Sequence, residues 1–393
     1  MYKEHNTVEY KSALLKNYSR YPVEFERGEG AYLYDTTGRK YLDFLSGIAV
    51  TGFGHNHPVI KSTVIDQLNK LWHTSNLFSS SLQEELAKEL AERSSLDYVF
   101  FCNSGTEANE AAIKFARKAG KNKTHIIAAL NGFHGRTMGS LSATGQEKLW
   151  NGFAPMTAGF SFVKYGDIED LQLEYVKYKD KTAAVLLEPI QGESGIILPE
   201  EGYLKKVREF CDQNNIFLII DEVQTGIGRT GRFFAHQWEN IIPDIITTAK
   251  GIANGLPLGA AICSRKIADA INPGDHGSTF GGNPAAVSAA ITVMKLLDTD
   301  LMKKITFMGK MITDSVEVLH TNKIKAVRGR GLMIGIEFNE GYSAKKIAAE
   351  MLSNGVVVGI SGERVLRILP PYIINQNDVV QFAVTLDNVI AGL

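Results

Sequence analysis

The sequence predicts an α/β fold, with a large domain on a mostly parallel, seven-stranded sheet flanked by helices and a smaller α+β domain after it. Three observations carry this expectation. Seven short apolar runs, at 98–102, 125–129, 160–163, 183–187, 216–220, 244–249 and 258–263, have the length and hydrophobicity of strands buried in a covered sheet. Helical stripes lie between some of them: Ala108, Ala111, Ala112, Phe115, Ala116 and Ala119 recur at the spacing of one buried helix face. Beyond residue 285 the pattern changes to helices alternating with isolated short strands.

A chain of 393 residues suits a large domain plus a smaller one. The expected division is an N-terminal arm and hairpin at 1–50 packing with the small domain, a large domain at 51–284 and the small domain at 285–393. A content of 44% hydrophobic and 22% charged residues is that of a soluble globular protein, and a net charge of −1 lacks the basic excess of a nucleic-acid binder. No apolar run is long enough to cross a bilayer, and the polar start, Met1 to Asn6, leads into no signal-peptide core. Cys102, Cys211 and Cys263 lie far apart without metal-type spacing, which reads as buried, reduced thiols. The expectation is a cytoplasmic protein with no metal site.

In chain order, Gly28 to Phe44 alternates apolar and polar residues around a Thr37-Gly38 turn, the pattern of a hairpin. His55 and His57 follow in a glycine-bearing loop and read as structural, because further metal ligands are missing. Leu82, Leu86 and Leu90 mark an amphipathic helix. The run 98–102 leads through Asn103-Ser104-Gly105-Thr106-Glu107 into the next helix. Ser104 and Glu107 have the spacing of a capping box, a purely structural device. The same segment also suits an anion at a helix N-terminus, with Gly105 admitting close approach and Thr106 adding a hydroxyl. After the run 125–129, Phe133 between glycines is placed to cover a planar ring. Arg136 suits a carboxylate, although taken on its own a plain surface arginine is the commoner reading. Glu193 sits in a glycine-flanked loop after 183–187. The glycine loop 277–284 closes the large domain, and a helix starts near Ala285. Helix 301–320, strand 332–338, helix 343–354, strands near 356–358 and 364–369, and helix 376–391 complete the chain, with Arg367 on the last strand.

The most informative stretch is 216–250. The run Ile216 to Ile220 ends in Asp221-Glu222-Val223-Gln224, and the next run delivers Lys250 into a glycine-rich loop. Open α/β sheets bind ligands beyond the carboxyl ends of their strands, so an acid and a lysine there can touch opposite ends of one flat molecule. The cofactor that needs this pair is pyridoxal phosphate, with a lysine as its Schiff base and an acid at its pyridinium nitrogen. Gly226-Ile227-Gly228-Arg229-Thr230-Gly231 matches the dinucleotide fingerprint as a string, which keeps a nucleotide-dependent dehydrogenase as the alternative. Its context is wrong, however, since Asp221 to Thr225 separates it from the strand and Phe233-Phe234 follows.

Taken together, Asn103 to Glu110, Phe133-His134-Gly135-Arg136, Asp221 to Gly226, Lys250 and Gly277 to Pro284 resemble the class III, fold-type I pyridoxal-phosphate aminotransferases. Trp72 to Asn76 and His276 to Thr279 tilt the resemblance toward the acetylornithine aminotransferase branch. It implies that Lys250 carries the cofactor and shuttles the proton while Asp221 pairs with the ring nitrogen. Gln224 would approach the phenolic oxygen, beside Val223. Ser104, Gly105 and Thr106 would hold the phosphate, joined by Thr279 from a neighbouring subunit of a homodimer. Phe133 would stack on the ring. Substrate would meet Tyr18, Arg136 and Ser278, with Arg367 reserved for the acceptor's carboxylate and masked by Glu193. The implied reaction moves the ω-amino group between N2-acetyl-L-ornithine and 2-oxoglutarate, yielding glutamate, within arginine biosynthesis. Ornithine, succinylornithine, 4-aminobutyrate and acetyl-lysine are the alternative donors.

Overall fold

In the computed structural model, which describes residues 13–319 and 321–393, seven strands form one sheet. Their spatial order is Tyr98–Cys102, Gly259–Cys263, Ile245–Thr248, Phe217–Asp221, Thr182–Leu187, His125–Ala129 and Phe160–Val163. Only Gly259–Cys263 runs antiparallel to its neighbours, and the other pairs are parallel. The mostly parallel sheet is therefore present, with one reversed strand.

The central strands owe their unbroken hydrophobicity to cover on both faces. Leu218 and Ile220 pack with Leu204, Val207 and Phe210 on one side. Ile219, pointing the other way by strand alternation, packs with Ala111, Ala112 and Phe115 of the helix Gly105–Ala119. Each such aliphatic side chain, fully withdrawn from water, contributes about 1.5–3 kcal/mol.

A second sheet has the order Phe25–Glu29, Tyr32–Asp35, Lys40–Asp43 and Val356–Val357, the last pair parallel. The expected turn lies between Tyr32–Asp35 and Lys40–Asp43, where Gly38 adopts φ +84° and donates its N–H to the Asp35 carbonyl. A third, antiparallel sheet joins Ile324–Arg330, Met333–Phe338, Val365–Ile368 and Gly359–Ser361. Three strands were not expected: Phe25–Glu29 and Ile324–Arg330 sit at sheet edges, little buried, so their residues show no buried alternation, and Gly359–Ser361 is an edge strand of only three residues.

The expected helix 301–320 is Thr299–Glu317, begun by Asp298, whose side chain accepts from Leu301 N–H at 2.8 Å. Residues 1–12 of the expected arm and His320 lie outside the described residues. The glycine run at 226–231 turns through Gly228 and Gly231, both at φ +86°, into a short 3-10 segment, Ala235–Glu239. The strand-to-helix turn of a dinucleotide site is thus replaced by something else, which removes the dehydrogenase reading. Cys102, Cys211 and Cys263 are buried free thiols. Among the described residues, no helix is long and apolar enough to cross a membrane.

Candidate active site

Because six of the seven strands run the same way, the residues after Cys102, Ala129, Leu187, Asp221 and Thr248 gather at one edge of the sheet. A cavity of about 390 Å³ opens there. Its wall includes Ser104, Gly105, Thr106, Phe133, Arg136, Glu193, Asp221, Val223, Gln224 and Lys250, so elements as far apart as 104 and 250 converge. The reversed strand contributes from its start, through Pro257 and Leu258.

Two acids end the Phe217–Asp221 strand, and alternation sends them apart. Glu222 accepts from His236 N–H and Nδ1 at 2.8 and 2.9 Å, away from the cavity wall. Asp221 lines the cavity at 4% exposure. Its Oδ2 accepts from Asn109 Nδ2 and His134 Nδ1 at 2.7 and 2.8 Å, and its Oδ1 from Val223 N–H at 3.0 Å. Three donors hold this carboxylate in one orientation. For His134, burial opposes the charge, but the hydrogen bond and charge of Asp221 outweigh it and raise the imidazole's pKa.

Lys250 follows the Ile245–Thr248 strand at φ +46°, an uncommon conformation for a side-chain-bearing residue. Burial lowers its pKa from the usual lysine value, with Glu193 opposing and Arg367 reinforcing the shift. Glu193 Oε1 is paired with Arg367 Nη1 and also accepts from Gln224 Nε2 at 3.3 Å. Although burial pushes upward, Arg367 and Lys250 hold the Glu193 carboxyl below its ordinary pKa. Arg367 reaches this pair from the Val365–Ile368 strand at 4% exposure, so the third sheet closes this side of the site.

At the helix Gly105–Ala119, Ser104 caps by accepting from Glu107 N–H at 3.3 Å. Glu107 reaches back to Asn103 N–H instead of the N-cap's own, so only half of the expected capping box forms. The first N–H groups of a helix lack intrahelical acceptors, and here Gly105 and Thr106 carry them at the cavity wall. The Thr106 hydroxyl is already engaged, at 2.6 Å from Ser140 Oγ and 2.9 Å from Thr137 Oγ1, which leaves its backbone as the free donor. A Cβ on Gly105 would stand 2.6 Å from Val223 Cγ1, so only glycine keeps the approach open.

Four expected residues are not on this wall. Arg367 stands behind Glu193, its ion-pair partner. Tyr18 is 70% exposed, with Arg20 5.7 Å over its ring. Ser278 stands one contact behind the wall, accepting from Asn103 Nδ2 at 3.1 Å. Thr279 is exposed. Sequence reasoning assigned no role to Asn109, His134 or Glu188, all on the wall. Asn109 and His134 lie within the quoted motifs, and only the fold reveals that both grip Asp221.

Comparison with known proteins agrees with this geometry. The family model for class-III aminotransferases matches residues 14–390. The chain belongs to the class-III aminotransferases. A curated acetylornithine aminotransferase from Methanocaldococcus jannaschii is 45% identical over 384 residues, covering 95% of each chain. The N-acetylornithine aminotransferase structure from Stenotrophomonas maltophilia aligns with a TM-score of 0.83 at 35% identity, over 94% of this chain and 96% of that one. An ornithine aminotransferase structure from Toxoplasma gondii, described as having partial occupancy of PLP at its active site, aligns with a TM-score of 0.92 at 32% identity, over 97% and 92%. Class-III aminotransferases depend on pyridoxal phosphate, and this chain is a transaminase of that kind.

Proposed function

We propose that this cavity transfers the ω-amino group of N2-acetyl-L-ornithine to 2-oxoglutarate, giving N-acetylglutamate 5-semialdehyde and glutamate. The observation that carries the reading is the Glu193–Arg367 pair beside Lys250. Curated relatives at 39–45% identity named acetylornithine aminotransferase support the same donor.

The residues present fit pyridoxal phosphate. Gly105 lets the helix start pack against Val223 on the cavity wall, where a Cβ would collide, and Gln224 Oε1 is buried without a partner. Lys250 would hold the cofactor through Nζ, Asp221 would meet its ring nitrogen, and Phe133 would cover its face. The Gly105 and Thr106 N–H groups, beside Ser104, would take the phosphate, with Gln224 and Val223 along the remaining edge. When bound, the cofactor supplies an electron sink for the pair released as a proton leaves the donor's ω-carbon. Asp221, fixed by three donors, would present its carboxylate to that sink without reorganising. The lowered pKa of Lys250 suits it to take and return a proton at that carbon.

Two substrates must share the pocket. Arg136, on the wall near Phe133, suits the donor's α-carboxylate. While that donor is bound, Glu193 neutralises Arg367, because a buried unpaired cation is costly. A dicarboxylate displaces Glu193 and takes the arginine. Tyr18, Ser278 and Thr279 fit a site completed across a homodimer, and exposed Trp72, Leu77, Phe78 and Phe280 supply apolar surface for that contact around the Asn76 bond to the Ser278 carbonyl. We assign the arm to 1–50, the large domain to 51–284 and the small domain to 285–393, supported by the pairing of Lys40–Asp43 with Val356–Val357. Buried free thiols support a reducing, cytoplasmic setting.

The deciding experiment assays the loaded enzyme with 2-oxoglutarate against acetylornithine, ornithine, succinylornithine, 4-aminobutyrate and acetyl-lysine. The highest kcat/KM is expected for acetylornithine. A faster rate with any other donor would replace it as the substrate.

A further inference from the structure

Glu188 has no part in the chemistry above, yet it lines the cavity at 7% exposure. It follows directly on the Thr182–Leu187 strand, whose parallel pairing on both sides fixes its backbone. The Tyr165 hydroxyl lies 2.9 and 2.8 Å from the carbonyls of Glu188 and Pro189 and locks the turn that follows. From this anchored base the two carboxylate oxygens reach different loops. Oε1 accepts from Phe133 N–H at 2.9 Å, and Oε2 from Gly192 N–H at 3.0 Å.

Those loops carry opposite sides of the site. Phe133 faces the cavity ahead of Arg136, and Gly192 precedes Glu193, the partner of Arg367. Gly192 has no slack, since a Cβ there would stand 2.6 Å from Gln224 Cδ. A second stitch runs from Gln191 Nε2 to the Leu130 carbonyl at 2.9 Å, but an amide cannot titrate near neutrality.

We propose that Glu188 is a positioning residue that clasps the Phe133 loop to the Gly192–Glu193 loop, setting the cofactor-facing and carboxylate-sensing sides of the cavity as one unit. The proposal rests on the reading of this cavity as the transamination site. A carboxylate offers an acceptor to each N–H, whereas the protonated acid turns one oxygen into a donor and releases one loop. Burial, reinforced by the charge of Asp221, raises the Glu188 carboxyl to about 7, against the pull of His134 and of the two N–H bonds. Lys250 faces the same acid across the cavity, and the Tyr165 phenol, also raised by burial, stays neutral there. The clasp therefore tightens as pH rises through neutrality.

Hydrogen exchange read by mass spectrometry on the cofactor-loaded enzyme tests this without any substrate. After division by intrinsic rates, wild-type peptides spanning 130–137 and 188–194 are expected to gain protection together between pH 6 and pH 8, by roughly tenfold, the scale of a hydrogen bond to a charged group. In Glu188→Gln both segments should keep the low-pH protection at either pH, while peptides from Phe217–Asp221 stay unchanged. Protection that is independent of pH in the wild type, or that changes in only one loop, would overturn the proposal, and the wild-type comparison decides even if the variant fails to fold. A different preferred donor would sink the substrate assignment and leave this measurement standing.

Discussion

Replacing Glu193 by Gln tests the substrate switch most directly. Arg367 is 4% exposed, its only ion pair among the described residues is with Glu193, and its buried Nε already lacks a partner. Breaking a buried pair by neutralising one member costs roughly 3–5 kcal/mol. The Glu193 side chain is 30% exposed, so water relieves part of that, and about 1–3 kcal/mol remains. A dicarboxylate that pairs with the unmasked arginine recovers this energy, whereas a monocarboxylate donor does not. The ratio of kcat/KM for acetylornithine to that for glutamate should therefore fall by about 5- to 150-fold, mostly through a lower KM for glutamate. Steady-state measurement of both half-reactions gives the ratio. If it stayed within about twofold of the wild-type value, Glu193 would not control access to Arg367, and discrimination would have to lie elsewhere in the pocket.

Three further substitutions probe the rest of the site. Asp221→Ala should keep the fold but slow turnover by about 10²–10³, the usual loss when one preorganised electrostatic group is removed; near-normal activity would contradict its assigned place at the ring nitrogen. In Lys250→Ala, borohydride treatment followed by digestion should find no cofactor mass on the peptide containing position 250, and a trapped adduct on another lysine would move the attachment point. Gly105→Ala places a Cβ 2.6 Å from Val223 Cγ1 and should weaken pyridoxal phosphate binding, measured by titrating cofactor-free protein, by about 1–3 kcal/mol. An unchanged Kd there would mean that the helix start does not bind the phosphate.

Much of this arrangement was legible in the sequence because the sheet's interior and its ligand edge obey strong patterns. The runs at 183–187 and 216–220 are apolar because both faces are covered, as Leu218 and Ile219 show by packing into opposite layers. The strand ends then locate Asp221 and Lys250 on one cavity. Edge strands such as Phe25–Glu29 bury too little to leave a pattern. Nor does local sequence tell that Glu222 turns to His236, or that Asn109 and His134, 112 and 87 residues away from Asp221 along the chain, hold its carboxylate. Such contacts are products of tertiary convergence. Tyr18 and Thr279 are exposed, and nothing in the pattern of a single chain marks an exposed residue for a site.

The physical reason to regard this cavity as the working part of the molecule is the concentration of costly groups on or beside its wall. Asp221, Glu188, His134, Gln224 and Arg367 are all at most 7% exposed, and each gave up hydration to be there. The cost is offset where partners exist: three donors on Asp221, two N–H groups on Glu188, and Glu193 on Arg367. It is not offset everywhere, for His134 Nε2, Gln224 Oε1 and Arg367 Nε remain buried without partners. Buried polar atoms are ordinarily satisfied, and those left over in a native fold call for a reason. Stability alone would favour apolar replacements at these positions, because removing both members of a polar pair can be neutral or stabilising. Unpartnered buried atoms occur elsewhere too, at Arg117, Arg208 and Arg229, but here three of them border one cavity whose wall also carries Lys250 and an open helix start, which is what a site looks like when the final partners come from bound molecules.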